Sequence, residues 1–261
     1  MIPTSSLVMI VINLILGFAI PLCLAWWIVK KHNARLSTVL IGAATFIVFA
    51  LVLESIVHQI VLKGSHGAAI QNNTLYLAIY GGLMAGLFEE TGRFLSMKYL
   101  LKKEPTTVKP ALAYGIGHGG VEMILLFGFT IISSLVMAAM VNAGQTDTLL
   151  GQVPAEAQGQ IQATISQLTD SGVGDWLMGL WERISALILH LSMSILVWAA
   201  VRKGGKWLWL FPAAILLHAL VDGLAVILSK SATMLATEAI IFAMAIAVAG
   251  LAYMVARRIS S

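Results

Sequence analysis

The sequence is poor in charged residues and in cysteine. Of its 261 residues, 11% are charged and 59% are hydrophobic, which excludes an ordinary soluble domain and indicates a polytopic membrane protein. The apolar residues form long continuous runs, and this excludes a membrane β-barrel, whose strands are short and alternate in hydrophobicity. The single cysteine, Cys23, allows neither an intrachain disulfide nor a metal site made of thiolates.

The chain also lacks internal repeats, low-complexity linkers and a separate soluble domain. We therefore expect one membrane domain over residues 1–261. The formal net charge is +4, but the basic residues lie in short loops beside the apolar runs, which is typical of membrane orientation and not of nucleic-acid binding. No positive charge precedes the first apolar run and no convincing cleavage site follows it, so we expect a membrane span there instead of a cleaved signal peptide.

Seven apolar runs are long enough to cross a bilayer core of about 30 Å as helices that rise about 1.5 Å per residue. They cover approximately residues 6–29, 37–62, 74–101, 110–141, 176–201, 207–228 and 232–256. Most Lys and Arg residues follow the first, third, fifth and seventh runs, which places the N-terminus outside and the C-terminus in the cytoplasm. We predict an all-α, multi-pass membrane protein with seven transmembrane helices.

The longest connection, residues 142–175, lies outside in this topology. Within it, Ile161, Ile165 and Leu168 fall at helical spacing. Two interpretations fit this pattern: a short amphipathic helix on the outer surface, or a polar connector with partial helicity. Three further ionisable residues near the outer ends of the runs are expected to be solvated: Glu182, Arg183 and Glu238.

Ionisable residues interrupt the third and fourth runs at membrane depth, where such groups are costly and usually functional. The third run contains Glu89, Glu90 and Arg93. Glu89 and Arg93 are four residues apart and can pair on one helix face, either as a structural clamp or as part of a site. The fourth run contains His118 and Glu122 at the same spacing, among glycines that let neighbouring helices approach closely.

The next two runs repeat this chemistry. His190 lies in the fifth run, and His218 and Asp222 lie four residues apart in the sixth. Counted from the cytoplasmic helix ends, the polar groups of runs three to six lie about 12–22 Å deep, which predicts one shared site near the bilayer midplane. Glu54 and His58 in the second run are also four residues apart, but they lie nearer the outer end, where we expect a structural or access role.

This set of side chains is suited to hydrolysis. Imidazoles and carboxylates bind zinc, and a catalytic zinc keeps one position open for water. A carboxylate beside that water acts as general base while the metal polarises a carbonyl group. Without a metal, a Glu–His pair could activate the water and a second histidine could stabilise the oxyanion, and the sequence leaves both mechanisms open. The candidate metal ligands are His118, Glu122, His190, His218 and Asp222.

The order of these residues resembles the CAAX-protease and bacteriocin-processing (CPBP) superfamily of intramembrane proteases. The resemblance rests on Glu-Glu-x-x-Arg in one run, Tyr-x-x-x-His in the next and His-x-x-x-Asp two runs later. The superfamily includes type II CAAX prenyl endopeptidases, PrsW proteases and a γ-secretase scaffold subunit. The chain length, the seven spans and the string Gly-Ile-Gly-His-Gly-Gly-Val-Glu look most like the bacterial YhfC branch.

The resemblance implies an intramembrane endopeptidase that cleaves membrane-embedded peptides or proteins, with zinc as the expected metal if one is used. Glu89 matches the residue that activates water, and the other implied catalytic positions are Glu90, Arg93, His118, His218 and Asp222. One alternative is a proton- or ion-coupled transporter, because Glu, His and Asp also form relays, although no repeat or broken helix supports it. A second alternative is a non-catalytic membrane scaffold. The sequence does not predict the oligomeric state.

Overall fold

The computed structural model describes residues 1–259, and every regular element in that range is helical. The helices are α1 (Thr4–Lys30), α2 (Leu36–Lys63), α3 (Gly67–Gln71), α4 (Thr74–Tyr99), α5 (Val108–Asn142), α6 (Thr146–Gly151), α7 (Ala155–Asp170), α8 (Val173–Lys203), α9 (Leu210–Ser231) and α10 (Met234–Ile259). A 3₁₀ turn, Gly205–Trp209, leads into α9. The predicted all-α class is confirmed over this range.

Six of the described helices are long and apolar enough to cross a membrane: α1, α2, α5, α8, α10 and α9 together with its 3₁₀ turn. The chain is therefore a multi-pass membrane protein surrounded by lipid. The third predicted span is the 26-residue helix α4, whose glutamates, tyrosines and glycines lower its hydropathy. The count of seven spans and the orientation of the termini stay predictions.

Helix α8 lies at the centre of the bundle. It packs against α1, α4, α5, α9 and α10. Every residue from Ser192 to Ala200 is buried, as expected for a helix that is surrounded on all sides. Trp198 is fully buried, and its indole Nε1 donates a hydrogen bond to the carbonyl oxygen of Thr107 at 2.8 Å, which ties α8 to the start of α5.

Glycines bring the site helices into backbone contact. A methyl group at Gly117 would collide with the backbone of Val39, and one at Gly42 would collide with the carbonyl oxygen of Tyr114. Helices α2 and α5 therefore pack with their backbones touching, as the glycines of the fourth run predict. Gly86 of α4 makes a similarly close contact with the backbone of α9.

Two transmembrane helices contain π-helical segments beside buried carboxylates. In α2 the segment is Ile47–Glu54, and in α5 it is Met123–Gly128, which begins directly after Glu122. A π-helical segment changes the helical phase of the residues that follow it, and such segments occur frequently at functional sites. These two segments therefore affect which way Glu54 and the part of α5 after Gly128 face.

The long connection folds into two helices, α6 and α7. Ile165 and Leu168 of α7 are buried, and Leu168 belongs to an apolar cluster with Ile10 of α1 and Ile131 of α5. A helix with an apolar face in this connection is confirmed, whereas its location on the outer surface stays a prediction. Its apolar face packs on the transmembrane helices, so α7 covers one end of the bundle.

Candidate metal centre

Helix α4 presents Glu89 to two histidines from neighbouring helices. His118 Nε2 of α5 lies 2.9 Å from Glu89 Oε2, and His190 Nδ1 of α8 lies 3.8 Å from the same oxygen. All three side chains are buried. One donor atom from each residue lies within 4.8 Å of the other two. The structure thus brings together residues that the sequence places at similar depth in three different runs.

The spacing of these three donors suits a tetrahedral metal ion. Ligand atoms about 2.0–2.1 Å from zinc lie about 3.3 Å from one another, and the measured separations of 2.9 and 3.8 Å bracket that value. Within residues 1–259, no Lys or Arg lies within ion-pair distance of Glu89. A buried carboxylate without a cation is costly, and a divalent ion would compensate its charge.

The adjacent glutamate, Glu90, is turned away from this cluster. It is completely buried, its Oε2 accepts a hydrogen bond from Arg93 Nε at 2.9 Å, and its Oε1 lies 2.8 Å from His218 Nδ1. A carboxylate paired with a guanidinium offers only acceptors, so His218 donates from Nδ1. The predicted Glu89–Arg93 pair is therefore wrong, because the i,i+3 partner Glu90 faces Arg93 in the packed helix.

Arg93 joins α4 to α8 through hydrogen bonds. One terminal nitrogen donates to the carbonyl oxygen of His190 at 3.1 Å and to Ser194 Oγ at 2.5 Å, and the other lies 3.2 Å from His190 Nδ1. Because a guanidinium only donates, His190 Nδ1 is the acceptor and its Nε2 carries the proton. That Nε2 contacts the carboxylate of Glu122. A metal bound by His190 would therefore displace either Arg93 or Glu122.

Arg183, which precedes His190 in α8 by about two helical turns, also belongs to this network. One of its terminal nitrogens lies 3.2 Å from Glu122 Oε1, and the guanidinium also contacts Glu182. Only 17% of the Arg183 side chain is exposed, so the expectation that it is solvated is wrong. Its partner comes from another helix, and a contact of that kind cannot be inferred from the position of Arg183 in its own run.

His218 and Asp222 lie on the other side of His190. The ring of His190 is centred 5.0 Å from that of His118 and 5.5 Å from that of His218. Asp222 Oδ2 is 3.5 Å from His218 Nε2, and 40% of the Asp222 side chain is exposed. The five predicted ligands are thus divided into three groups. His118 and His190 converge on Glu89, whereas His218 contacts Glu90 and Asp222 contacts His218. Glu122 contacts the Nε2 atom of His190.

A cavity of about 380 Å³ adjoins the cluster. Its walls include Glu89, Glu122, His190, His218 and Asp222 from four helices. Glu89 Oε1 makes no hydrogen bond to any described residue, and it is not enclosed by them. The carboxylate that faces the histidines is therefore also the one that faces the cavity, whereas Glu90 does not line it.

The pair in the second run forms as its spacing predicts. Glu54 Oε1 lies 3.1 Å from His58 Nε2, and His58 Nδ1 lies 2.9 Å from the hydroxyl oxygen of Tyr80 on α4. No pattern in the sequence identified Tyr80 as a partner of His58. Ser194, in contrast, lies four residues after His190, and this helical spacing could have identified it as a partner of the same site.

Comparison with known proteins identifies the family. A family model described as YhfC intramembrane metalloprotease matches residues 16–245. The chain belongs to the YhfC family. The YhfC protein of Bacillus subtilis strain 168, named an uncharacterized membrane protein, is 36% identical over 231 residues, which is 88% of each chain. No solved structure matched the chain. All the site residues described above lie within the range that the YhfC model matches.

Proposed function

We propose that the chain is an intramembrane metalloprotease of the bacterial cytoplasmic membrane. The observation that carries this proposal is that Glu89, on the wall of a cavity of about 380 Å³, lies 2.9 and 3.8 Å from two buried histidines. The description of the YhfC family as metalloproteases supports the same activity. The substrates would be membrane-embedded peptides or proteins.

The residues that would hold the metal are Glu89, His118 and His190, because they are the three described donors that converge. A divalent cation such as zinc supplies Lewis acidity and makes water a stronger nucleophile near neutral pH. His218 and Asp222, predicted as ligands, would instead contact the substrate from α9 across the cavity. This ligand set suits zinc by donor type and spacing.

Glu89 would accept the proton of the attacking water. Its Oε2 is directed at the histidines, and its Oε1 is open to the cavity. A water in the cavity beside the histidines would therefore lie within reach of Glu89 as a base. Glu90 and Arg93 would act as positioning residues, since Arg93 donates hydrogen bonds to the carbonyl oxygen of His190 and to Ser194 Oγ on α8. Arg93 also keeps Glu90 as a carboxylate acceptor for His218.

Cleavage by purified protein tests this proposal. We would reconstitute the chain with membrane proteins of the expression host in zinc-containing liposomes and identify new N-termini by mass spectrometry. Loss of a general base costs about 10²- to 10⁴-fold in rate, so Glu89→Gln should abolish detectable cleavage. Glu54→Gln makes the same change at another buried glutamate outside the cluster and should retain activity. Equal cleavage by wild type and folded Glu89→Gln would refute the proposed role.

The same liposomes separate proteolysis from transport. A proton flux that depends on Glu89, without any cleaved product, would refute the protease and favour the ion-coupled transporter. Partner binding that survives in Glu89→Gln, again without cleavage by wild type, would favour the scaffold. Each result is obtained with the whole 261-residue chain and the same pair of variants.

A further inference from the structure

A second cavity adjoins the one beside Glu89. It has a volume of about 350 Å³ and lies beneath α7, where its walls include Asn13 of α1 and Thr164 of α7. Glu182 of α8 and Glu238 of α10 line both cavities. The two cavities therefore share these carboxylates as wall residues. Together they lead from the end of the bundle that α7 covers, here called the α7 face, to the cluster at Glu89.

Polar atoms without partners line both cavities. Asn13 Oδ1 and Trp176 Nε1 lie along the second cavity, and Thr237 Oγ1 and Glu238 Oε2 lie along the first; all four are buried and unpaired among the described residues. An unpaired polar atom inside a protein is energetically costly. Water or a ligand must therefore satisfy these atoms, and a single water needs only about 30 Å³.

The other end of the site is closed. Beyond His190 no residue of α8 lines the first cavity, and the residues from Ser192 to Ala200 are all buried. Arg93 and Tyr114 fill the same region and are completely buried. Within residues 1–259, the polar route to Glu89 therefore comes from the end of the bundle that α7 covers, where the first cavity also reaches the exposed Ser229 of α9.

We propose that the two cavities form one water-filled passage through which an extended peptide segment enters from the α7 face and reaches Glu89. A peptide backbone carries a donor and an acceptor at each residue, which suits the unpaired oxygens and the indole N–H on the walls. This inference rests on the proposed protease function and names its substrates: membrane proteins cleaved in a segment that emerges at the α7 face. The charge pattern of the loops predicts that this face is outside.

Cysteine labelling tests the passage independently of cleavage. In a Cys23→Ser background, Ala245→Cys places a thiol on the cavity wall, whereas Ile246→Cys places one on the lipid-facing side of α10 at the same depth. Gln152→Cys in the exposed connection before α7 reports which membrane face the reagent reaches. A membrane-impermeant thiosulfonate is applied to intact cells and to inverted vesicles. Thiols react as thiolates, which form in water and not in lipid.

The passage predicts that Ala245→Cys reacts at least about tenfold faster than Ile246→Cys, and only from the face that labels Gln152→Cys. A bulky residue in the second cavity should block the route, so Thr164→Trp should slow this labelling about tenfold, whereas Gln162→Trp on the exposed side of α7 should not. If Thr164→Trp fails to fold, Ser134→Trp fills the same cavity from α5. Gel filtration in detergent and labelling after denaturation verify folding and thiol content.

Several results would overturn the passage. These are equal labelling of the two α10 cysteines, labelling of Ala245→Cys from the opposite face only, and labelling that the folded tryptophan variants do not slow. Cleavage by wild type that Thr164→Trp leaves unchanged would refute the substrate route while the protease assignment stands. The expected labelling without any cleavage by wild type would refute the protease and retain the passage.

Discussion

Loss of the Arg93 guanidinium should destabilise the bundle because it leaves a charge buried. The guanidinium is completely buried and donates to Glu90 at 2.9 Å and to Ser194 Oγ on α8 at 2.5 Å. The substitution Arg93→Met keeps an unbranched apolar stem and removes the charge and the donors. Glu90 would then retain only His218 as its partner.

The expected magnitude follows from the burial of this pair. Removing one partner of a buried ion pair costs about 3–5 kcal/mol, whereas replacing both partners by neutral groups is often close to neutral. Arg93→Met should therefore lose about 3–5 kcal/mol of unfolding free energy, and adding Glu90→Gln should restore about 2 kcal/mol or more. The matched control is Arg35→Met, since Arg35 pairs with Glu104 at 3.3 Å but 63% of its side chain is exposed. Glu104 is itself buried, but Arg35 lies at the surface and Thr38 Oγ1 still donates to this carboxylate, so that change should cost clearly less than Arg93→Met.

Unfolding in mixed micelles measures these differences. Tryptophan fluorescence follows the transition as the fraction of dodecyl sulfate is raised, and the chain has seven tryptophans as reporters. An Arg93→Met variant no less stable than Arg35→Met would refute the reasoning. So would a double variant that is less stable than Arg93→Met alone, because the uncompensated charge of Glu90 would then not be the cause.

Three further predictions concern packing, the polar network and the metal. Gly117→Ala should cost about 1–3 kcal/mol in the same unfolding assay because its methyl group meets the backbone of Val39. The control Gly159→Ala places a methyl group with nothing within 4 Å, and it should stabilise α7 by about 0.5–1 kcal/mol. Asp222→Asn should change stability by less than about 1 kcal/mol, since its contact with His218 is 3.5 Å long and partly exposed; a larger loss would indicate a stronger structural role. A chelator should abolish cleavage in the liposome assay and added zinc should restore it, and cleavage that resists complete metal removal would favour the metal-free mechanism.

The helices and the approximate depth of the polar groups could be predicted because both follow from local sequence. A run of apolar residues reports a membrane helix wherever it packs. The ionisable side chains of Glu89, His118 and His218 at membrane depth likewise indicated a shared site, since isolated ionisable groups there are costly. The pairing of Glu54 with His58 also followed directly from helical spacing.

The orientation of each helix about its axis could not be predicted in the same way. Glu89 and Glu90 differ by about 100° around α4. Gly86, four residues before Glu90, contacts the backbone of α9, so this face of α4 turns Glu90 towards His218 and leaves Glu89 facing the cavity. The π-helical segment after Glu122 has no clear signal in the residue pattern. The pairing of Arg183 with Glu122 depends on two helices at once.

Metal content and coordination of the purified protein test the central claim most directly. Wild type loaded with zinc should bind about one ion per chain, and X-ray absorption should show nitrogen and oxygen ligands at about 2.0–2.1 Å. His118→Asn and His190→Asn should lose the ion, whereas folded His218→Asn should retain it, because His218 is linked to Glu90 and not to Glu89. Wild type that binds no ion, or an ion that is lost in His218→Asn and retained in His190→Asn, would contradict a metal centre at Glu89, His118 and His190.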